Sequence, residues 1–196
     1  ALPETETTPS PDGEKKKQNP LKPLVDYLIQ QARLMDGGSN APRAMFAQLR
    51  REASSWPDCG PLALCHVADF FSDAGRKTQD AMLLTAILFS LNPVSAKAKG
   101  NMGEIMKKTG QARSAEDAVE ARFMKLLGAR RPEEIATHLR HAVALAESSN
   151  IDIDWYQLSW DIQGLLSGDE KWRQNIIRHW SQSFWSYTDK KDSAKD

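Results

Sequence analysis

Two histidines at helical spacing are the first residues in this chain whose arrangement suits chemistry. His138 and His141 are three positions apart in an amphipathic segment. This spacing places both imidazoles on one face of a helix and is compatible with a metal ion. We find no Asp, Glu or Cys placed to complete a ligand set, so a histidine pair without a metal is the favoured interpretation. We expect no cofactor.

Two further pairs carry groups that enzymes use. Cys65 and His66 are adjacent, and neighbours on a helix point in different directions, so they do not predict a nucleophile with its base. Asp152 and Asp154 are two apart at a predicted helix start, where capping explains them better than acid–base catalysis. We therefore predict that the protein is not an enzyme.

Basic residues carry the remaining functional signal. The chain holds 26 Lys and Arg and 26 Asp and Glu, but residues 76–140 contain 12 basic and 7 acidic residues, whereas residues 141–171 contain 1 and 6. Arginines on helices, without a nucleophile or metal set, predict a surface that holds a polyanion. Ordinary solvated helix faces are the alternative. The candidate nucleic-acid-binding residues are Arg50, Arg51, Lys107, Lys108, Arg122, Arg130, Arg131 and Arg140, and Lys125 flanks the same buried stripe as Arg122.

We predict that the candidate residues lie on helices. Apolar residues recur at helical spacing along the chain, and the alternation typical of strands is absent. The predicted fold class is all-α with two helical lobes, the second an antiparallel four-helix bundle. The predicted parts are a disordered tail (1–20), an N-terminal helical lobe (21–94), a basic loop and short helix (95–113), the C-terminal bundle (114–187) and a polar tail (188–196).

Capping residues predict where several helices begin and end. Gly110 is predicted to stop the short helix, and Ser114 to cap the next one at its start. Asp152 is predicted to cap the helix that carries Trp155. No apolar run is long enough to span a membrane or resembles a signal-peptide core, and two cysteines do not suggest a disulfide framework. We expect a cytoplasmic protein.

An ordered series of segments resembles a known family. In order they are 47–51, 103–110, 122–131, Leu139-Arg140, Asp154-Trp155 with Leu158, Asp161 and Leu165, and a last helix with Trp172, Arg178, Trp180 and Phe184-Trp185. Together they resemble the CasB-type small subunit of the type I-E CRISPR Cascade surveillance complex. The resemblance runs from about residue 43 to residue 185.

The resemblance implies a non-catalytic subunit present in two copies. Its implied partners are the guide RNA, the target DNA with its displaced strand, a second copy of itself, and the backbone and large subunits of the complex. Arg50, Arg51, Arg122, Arg131 and Arg140 match basic positions of the family and would bind phosphate. Lys107 and Lys108 rest on the charge argument alone.

Two positions depart from the family pattern. Glu104 stands where a basic residue is expected, and His141 stands where a second arginine is common. An imidazole is at most partly charged at neutral pH, so this edge is expected to bind phosphate less tightly.

Two other function classes stay open at this point. A protein-interaction scaffold would use the acidic stretch after His141, and charge reversal at Asp152 and Asp161 would then abolish assembly. A helical metal-dependent hydrolase would need the ligand set that the sequence does not supply.

Overall fold

The computed structural model describes residues 18–94 and 98–186, and in these ranges the chain forms helices and no strands. The predicted all-α class is confirmed. Most of the predicted N-terminal tail and all of the predicted C-terminal tail lie outside the described residues. The helices are α1 (Lys22–Asp36), α2 (Asn40–Arg51), α3 (Pro61–Leu64), α4 (Arg76–Leu91), α5 (Met102–Arg113), α6 (Glu116–Gly128), α7 (Pro132–Glu147), α8 (Trp155–Leu166) and α9 (Glu170–Trp185), with a 3-10 turn at Ala68–Phe70.

Helix α4 is the centre of the molecule. Ten consecutive residues from Ala81 to Ser90 are buried, which is typical of a helix that is covered on all sides. It packs against α2, α7 and α8. Phe89 lies 5.7 Å from the ring of Phe46 in α2 and 5.0 Å from that of Trp155 in α8. The N-terminal and C-terminal helices therefore share one continuous apolar core.

Helix α5 connects this core to the second half of the chain. It packs against α6 on one side and α9 on another. A Cβ atom at Gly103 would overlap the backbone carbonyl of Trp180. Only a glycine permits α5 and α9 to approach this closely.

Two of the predicted caps at the α5–α6 junction are wrong. Helix α5 continues through Gly110 to Arg113, and Ser114 ends it in the left-handed conformation, with φ of 48°, instead of starting α6. A Cβ at Gly110 would lie 3.3 Å from the Cα of Glu116. The glycine thus makes room for α6 and does not stop α5.

The predicted cap of α8 is displaced by two residues. Asp154, and not Asp152, is the capping residue, and its Oδ1 accepts a hydrogen bond from the backbone N–H of Gln157 at 3.0 Å. The carboxylate therefore satisfies a backbone donor at the start of α8, which is the structural role expected of an aspartate there.

Candidate nucleic-acid interface

A cavity of about 220 Å³ lies between α5, α6 and α7. Helices α6 and α7 each contribute three residues, and in each helix two of these are polar residues three positions apart that share one helix face. The floor is formed by buried Met106, Leu126 and Ala142, and the rim by Arg122, Lys125, His138 and His141. These seven residues are called the basic groove below.

The charges of the groove lie close enough to influence one another. The pKa of His141 is lowered, first by loss of hydration and then by the charges of Arg140, His138 and Arg122. The imidazole of His141 is therefore mainly neutral at pH 7, whereas Arg122 and Lys125 on the same rim are charged. Among the described residues, neither of these two side chains forms an ion pair with a carboxylate.

Arg140 extends this positive surface toward α2. Its Nη1 donates to the carbonyl oxygen of Ala53 at 3.1 Å, and the N–H of Ala53 donates to the carbonyl of Arg50 at 3.2 Å. The guanidinium of Arg140 thus lies one hydrogen-bonded turn from the end of α2, where Arg50 and Arg51 are exposed. Arg50, Arg51 and Arg140 are called the basic edge below.

No carboxylate neutralises the basic edge within the part of the chain that the structure describes. The Nε of Arg50 donates to the carbonyl oxygen of Phe46 at 3.3 Å. A carbonyl oxygen has no formal charge, so this hydrogen bond does not neutralise the guanidinium of Arg50. Arg140 of the basic edge and Arg122 of the basic groove both lower the pKa of His141, so the edge and the groove are neighbours at this histidine.

The two arginines between α6 and α7 have a different environment. Arg130 Nη1 lies 3.3 Å from Oε1 of Glu170. Arg131 donates from Nε and Nη2 to Oε1 of Glu134 at 2.9 and 2.6 Å. This hydrogen-bonded pairing raises the pKa of Arg131 and lowers that of Glu134. These two arginines, called the link arginines below, are each ion-paired with a carboxylate, and Arg130 shares Glu170 with Arg173.

The two predicted lysines of α5 also lie outside the basic groove. Lys107 Nζ donates to the carbonyl of Ser186 at 2.5 Å, at the end of α9. Lys108 Nζ lies 4.0 Å from Oε2 of Glu104. The structure thus places Arg122 near Arg140 of the basic edge, whereas neither lysine and neither link arginine lines the groove. Phosphate binding by any of these residues stays a prediction.

Arg173 has a structural role that sequence reasoning did not identify. It is 7% exposed, and its Nη2 donates to the carbonyls of Leu127 at 3.3 Å and Ala129 at 2.7 Å. The side chain of an α9 residue therefore satisfies carbonyls at the end of α6. Its position in a helix of mixed polarity gives no indication of this burial.

A second cavity, of about 260 Å³, lies on the α8–α9 side of α5. It is called the acidic cavity, and its titratable lining residues are Glu104, Asp154, Asp161 and His179. Asp161 is 4% exposed and accepts hydrogen bonds from Gln157 Nε2 at 2.9 Å and Trp180 Nε1 at 2.8 Å. Burial raises its pKa to about 6 despite these two donors. The acidic stretch therefore includes a buried structural carboxylate, and Asp161 is not exposed to a docking partner.

Residues 18–94 and 98–186 contain neither a metal-binding cluster nor a membrane-spanning helix. No three His, Cys, Asp or Glu side chains there lie close enough together to hold a metal ion. None of the helices described combines the length and the apolar character needed to cross a membrane.

Solved structures provide one comparison with known proteins. The chain superposes on TTHB189, a Cse2-family CRISPR-associated protein from Thermus thermophilus, with a TM-score of 0.65 and 26% identity, over 83% of this chain and 97% of that one. For a structure described as CasB from Thermus thermophilus the TM-score is 0.66 and the identity 25%, with the same two coverages. CasB from Thermobifida fusca shares the fold at a TM-score of 0.62 and 19% identity, over 81% of this chain and 96% of that one.

Sequence comparison gives the family. No curated protein matches the chain at a significant level. The family model of the CRISPR-associated protein Cse2 matches residues 45–185, which is most of the sequence. This range contains every helix of the basic groove and most of α2. The chain belongs to the Cse2 family of CRISPR-associated proteins, also called CasB, the small subunit of the type I-E Cascade complex.

Proposed function

We propose that this Cascade subunit binds nucleic acid without catalysis and stabilises the R-loop in antiviral defence. It does so by sequence-independent contacts to the backbone of the target and displaced DNA. Base pairing with the guide RNA reads the sequence, while the protein supplies charge and shape. Within the complex, its proposed partners are the guide RNA, the target DNA, a second copy of itself, and the backbone and large subunits.

One observation carries this proposal, namely that the cations of the basic groove and basic edge have no carboxylate partners among the described residues. The five cations are Arg50, Arg51, Arg122, Lys125 and Arg140. A chain with equal numbers of acidic and basic residues has carboxylates enough to neutralise them. A surface that keeps like charges together on rigid helices suits a polyanionic ligand.

The mechanism is electrostatic. Each phosphate of a single strand that the protein neutralises releases condensed counterions and contributes about −0.7 to the slope of log affinity against log salt concentration. Five engaged cations would give a slope of about −3.5. A displaced strand held on this surface is unavailable for re-annealing, so the R-loop persists longer.

The direct test is binding of the purified full chain to a fluorescein-labelled single strand of about 16 nucleotides across a salt series. A triple alanine variant at Arg122, Lys125 and Arg140 removes three proposed phosphate contacts. We expect weaker binding to every sequence and a slope shallower by about 2. The matched comparison is the double alanine variant of the link arginines, whose slope should stay within about 0.5 of the original.

Two results would contradict the proposal. The first is absence of binding at the lowest salt concentration. The second is an unchanged slope in the triple variant, which would place the phosphate contacts elsewhere on the protein.

A further inference from the structure

We propose that the basic groove takes up the base of one unpaired nucleotide, so that it recognises single strands and not only negative charge. This inference rests on the proposed function and specifies the ligand of the same site. It is carried by the chemistry of the cavity, which combines a charged rim with an apolar floor.

The apolar floor of the groove does not favour a phosphate. Met106, Leu126 and Ala142 line the cavity with thioether and hydrocarbon groups. A phosphate needs charge and hydrogen-bond donors, and desolvating it against apolar groups costs free energy. A ligand that fits both floor and rim has a planar, largely apolar part joined to an anionic part, and a nucleotide has this composition.

The rim of the groove is suited to a flat ring. Arg122 and Lys125 of the rim belong to α6, and the imidazoles of His138 and His141 belong to α7. Guanidinium and imidazole groups stack on exposed bases, and a methionine sulfur makes favourable contacts with aromatic rings. Both kinds of group line this cavity.

The size of the cavity limits what enters it. About 220 Å³ is below the roughly 300 Å³ at which pockets for drug-sized ligands begin. The cavity therefore holds a base, while the sugar and phosphate stay at the rim beside Arg122 and Lys125. Bases in a duplex are paired and stacked, so they do not reach the floor without being flipped out. The groove should consequently favour unpaired DNA over duplex.

The test that needs no variant compares two single strands on the wild-type full chain. One is a fluorescein-labelled deoxythymidine strand of about 16 nucleotides, and the other is an abasic strand with the same number of phosphates. Fluorescence polarisation should show about tenfold weaker binding of the abasic strand, because it lacks the base that enters the groove. The salt slopes of the two strands should be equal.

A cavity-filling variant tests whether the affinity difference between the two strands arises in the basic groove. Ala142→Leu occupies the floor without changing any charge, and the affinity difference between the two strands should fall to less than about twofold. Ala136→Leu is the matched control, since Ala136 is buried on the same helix and does not line the cavity. It should keep the difference.

The outcomes separate the two proposals. Equal affinity for the two strands, with a steep salt slope, would overturn the base site and leave the proposed function intact. A full base preference retained in Ala142→Leu would also overturn it. Absence of binding to both strands would overturn the proposed function itself. If Ala142→Leu does not fold, the wild-type comparison decides the question.

Discussion

The basic groove and the acidic cavity lie on opposite sides of α5. Met106 faces the groove, and Glu104, two residues earlier, faces the cavity, as expected for positions that do not share a helix face. One helix therefore separates a site lined by basic residues from a site lined mainly by carboxylates.

The two sites differ in how their charges are used. Arg122 and Lys125 of the groove are exposed and form no ion pair among the described residues. Asp161 of the cavity is buried, and each of its oxygens accepts a hydrogen bond from another side chain. The carboxyl group of Asp161 is part of the packed interior, whereas the charge of the groove is available to a ligand. Substitutions in the two sites should accordingly affect different properties.

The largest expected effect is on binding. Charge reversal in the groove, with Arg122→Glu and Lys125→Glu together, should weaken single-strand binding about 100-fold, because each charged hydrogen bond contributes at least about 1.5 kcal/mol. The free energy of unfolding should change by less than about 1 kcal/mol, since both side chains are exposed. Polarisation and urea unfolding measure the two quantities. A comparable loss of stability would show that the groove, like the cavity, is structural.

The acidic cavity should instead control stability as a function of pH. The pKa of Asp161 is about 6 in the folded protein and ordinarily 3.8. A raised pKa means that the folded state favours the protonated form, so this stabilisation is complete below about pH 4 and is lost as the pH rises through about 6. The loss amounts to about 3 kcal/mol.

Asp161→Asn checks this prediction, because the amide does not ionise. Urea unfolding between about pH 4 and pH 7 should show that this component of the pH dependence is absent from the variant. Groove affinity at pH 7 should be unchanged. Parallel stability curves for the two proteins would refute the assignment to Asp161.

Arg173 is a basic residue whose replacement should affect stability and not binding. Replacing it by Met leaves the carbonyls of Leu127 and Ala129 without their donor and should lower the free energy of unfolding by about 2 kcal/mol. The affinity of the folded protein for single strands should not change. Lys171→Met, at an exposed position of the same helix, is the control and should alter stability by less than about 0.5 kcal/mol. Equal effects of the two substitutions would contradict this role.

The smallest effect is expected at the link arginines. Charge reversal at both Arg130 and Arg131 makes the same change in net charge as the groove reversal. Because Glu170 and Glu134 already form ion pairs with these arginines, affinity should fall by less than about threefold. Polarisation under the conditions of the groove experiment measures this. A loss of about 100-fold would remove the distinction between paired and unpaired cations.

The sequence predicts the helical elements well because their signal is local. The apolar run of α4 and the stripes of α6 to α9 follow directly from residue spacing. The ends of the helices are harder to predict. Gly110 lies inside α5 because α6 packs against it, and this requirement arises only when two distant segments meet.

The candidate site was predicted in part. Arg50, Arg51, Arg122 and Arg140 are recognisable from residue type, and none of them is ion-paired among the described residues. Sequence alone does not distinguish them from Arg130 and Arg131, because pairing with Glu170 depends on the position of α9. The floor of the groove was also unpredictable, since Met106, Leu126 and Ala142 look like ordinary core residues in their separate helices.

The most direct test of the account is the lifetime of the R-loop in a Cascade complex assembled with this subunit. The groove reversal, Arg122→Glu with Lys125→Glu, is compared with the link reversal at Arg130 and Arg131. We predict that re-annealing of the displaced strand is about tenfold or more faster with the groove reversal and unchanged with the link reversal. Equal lifetimes in both complexes, each shown to contain the subunit, would contradict the claim that the basic groove holds the displaced strand.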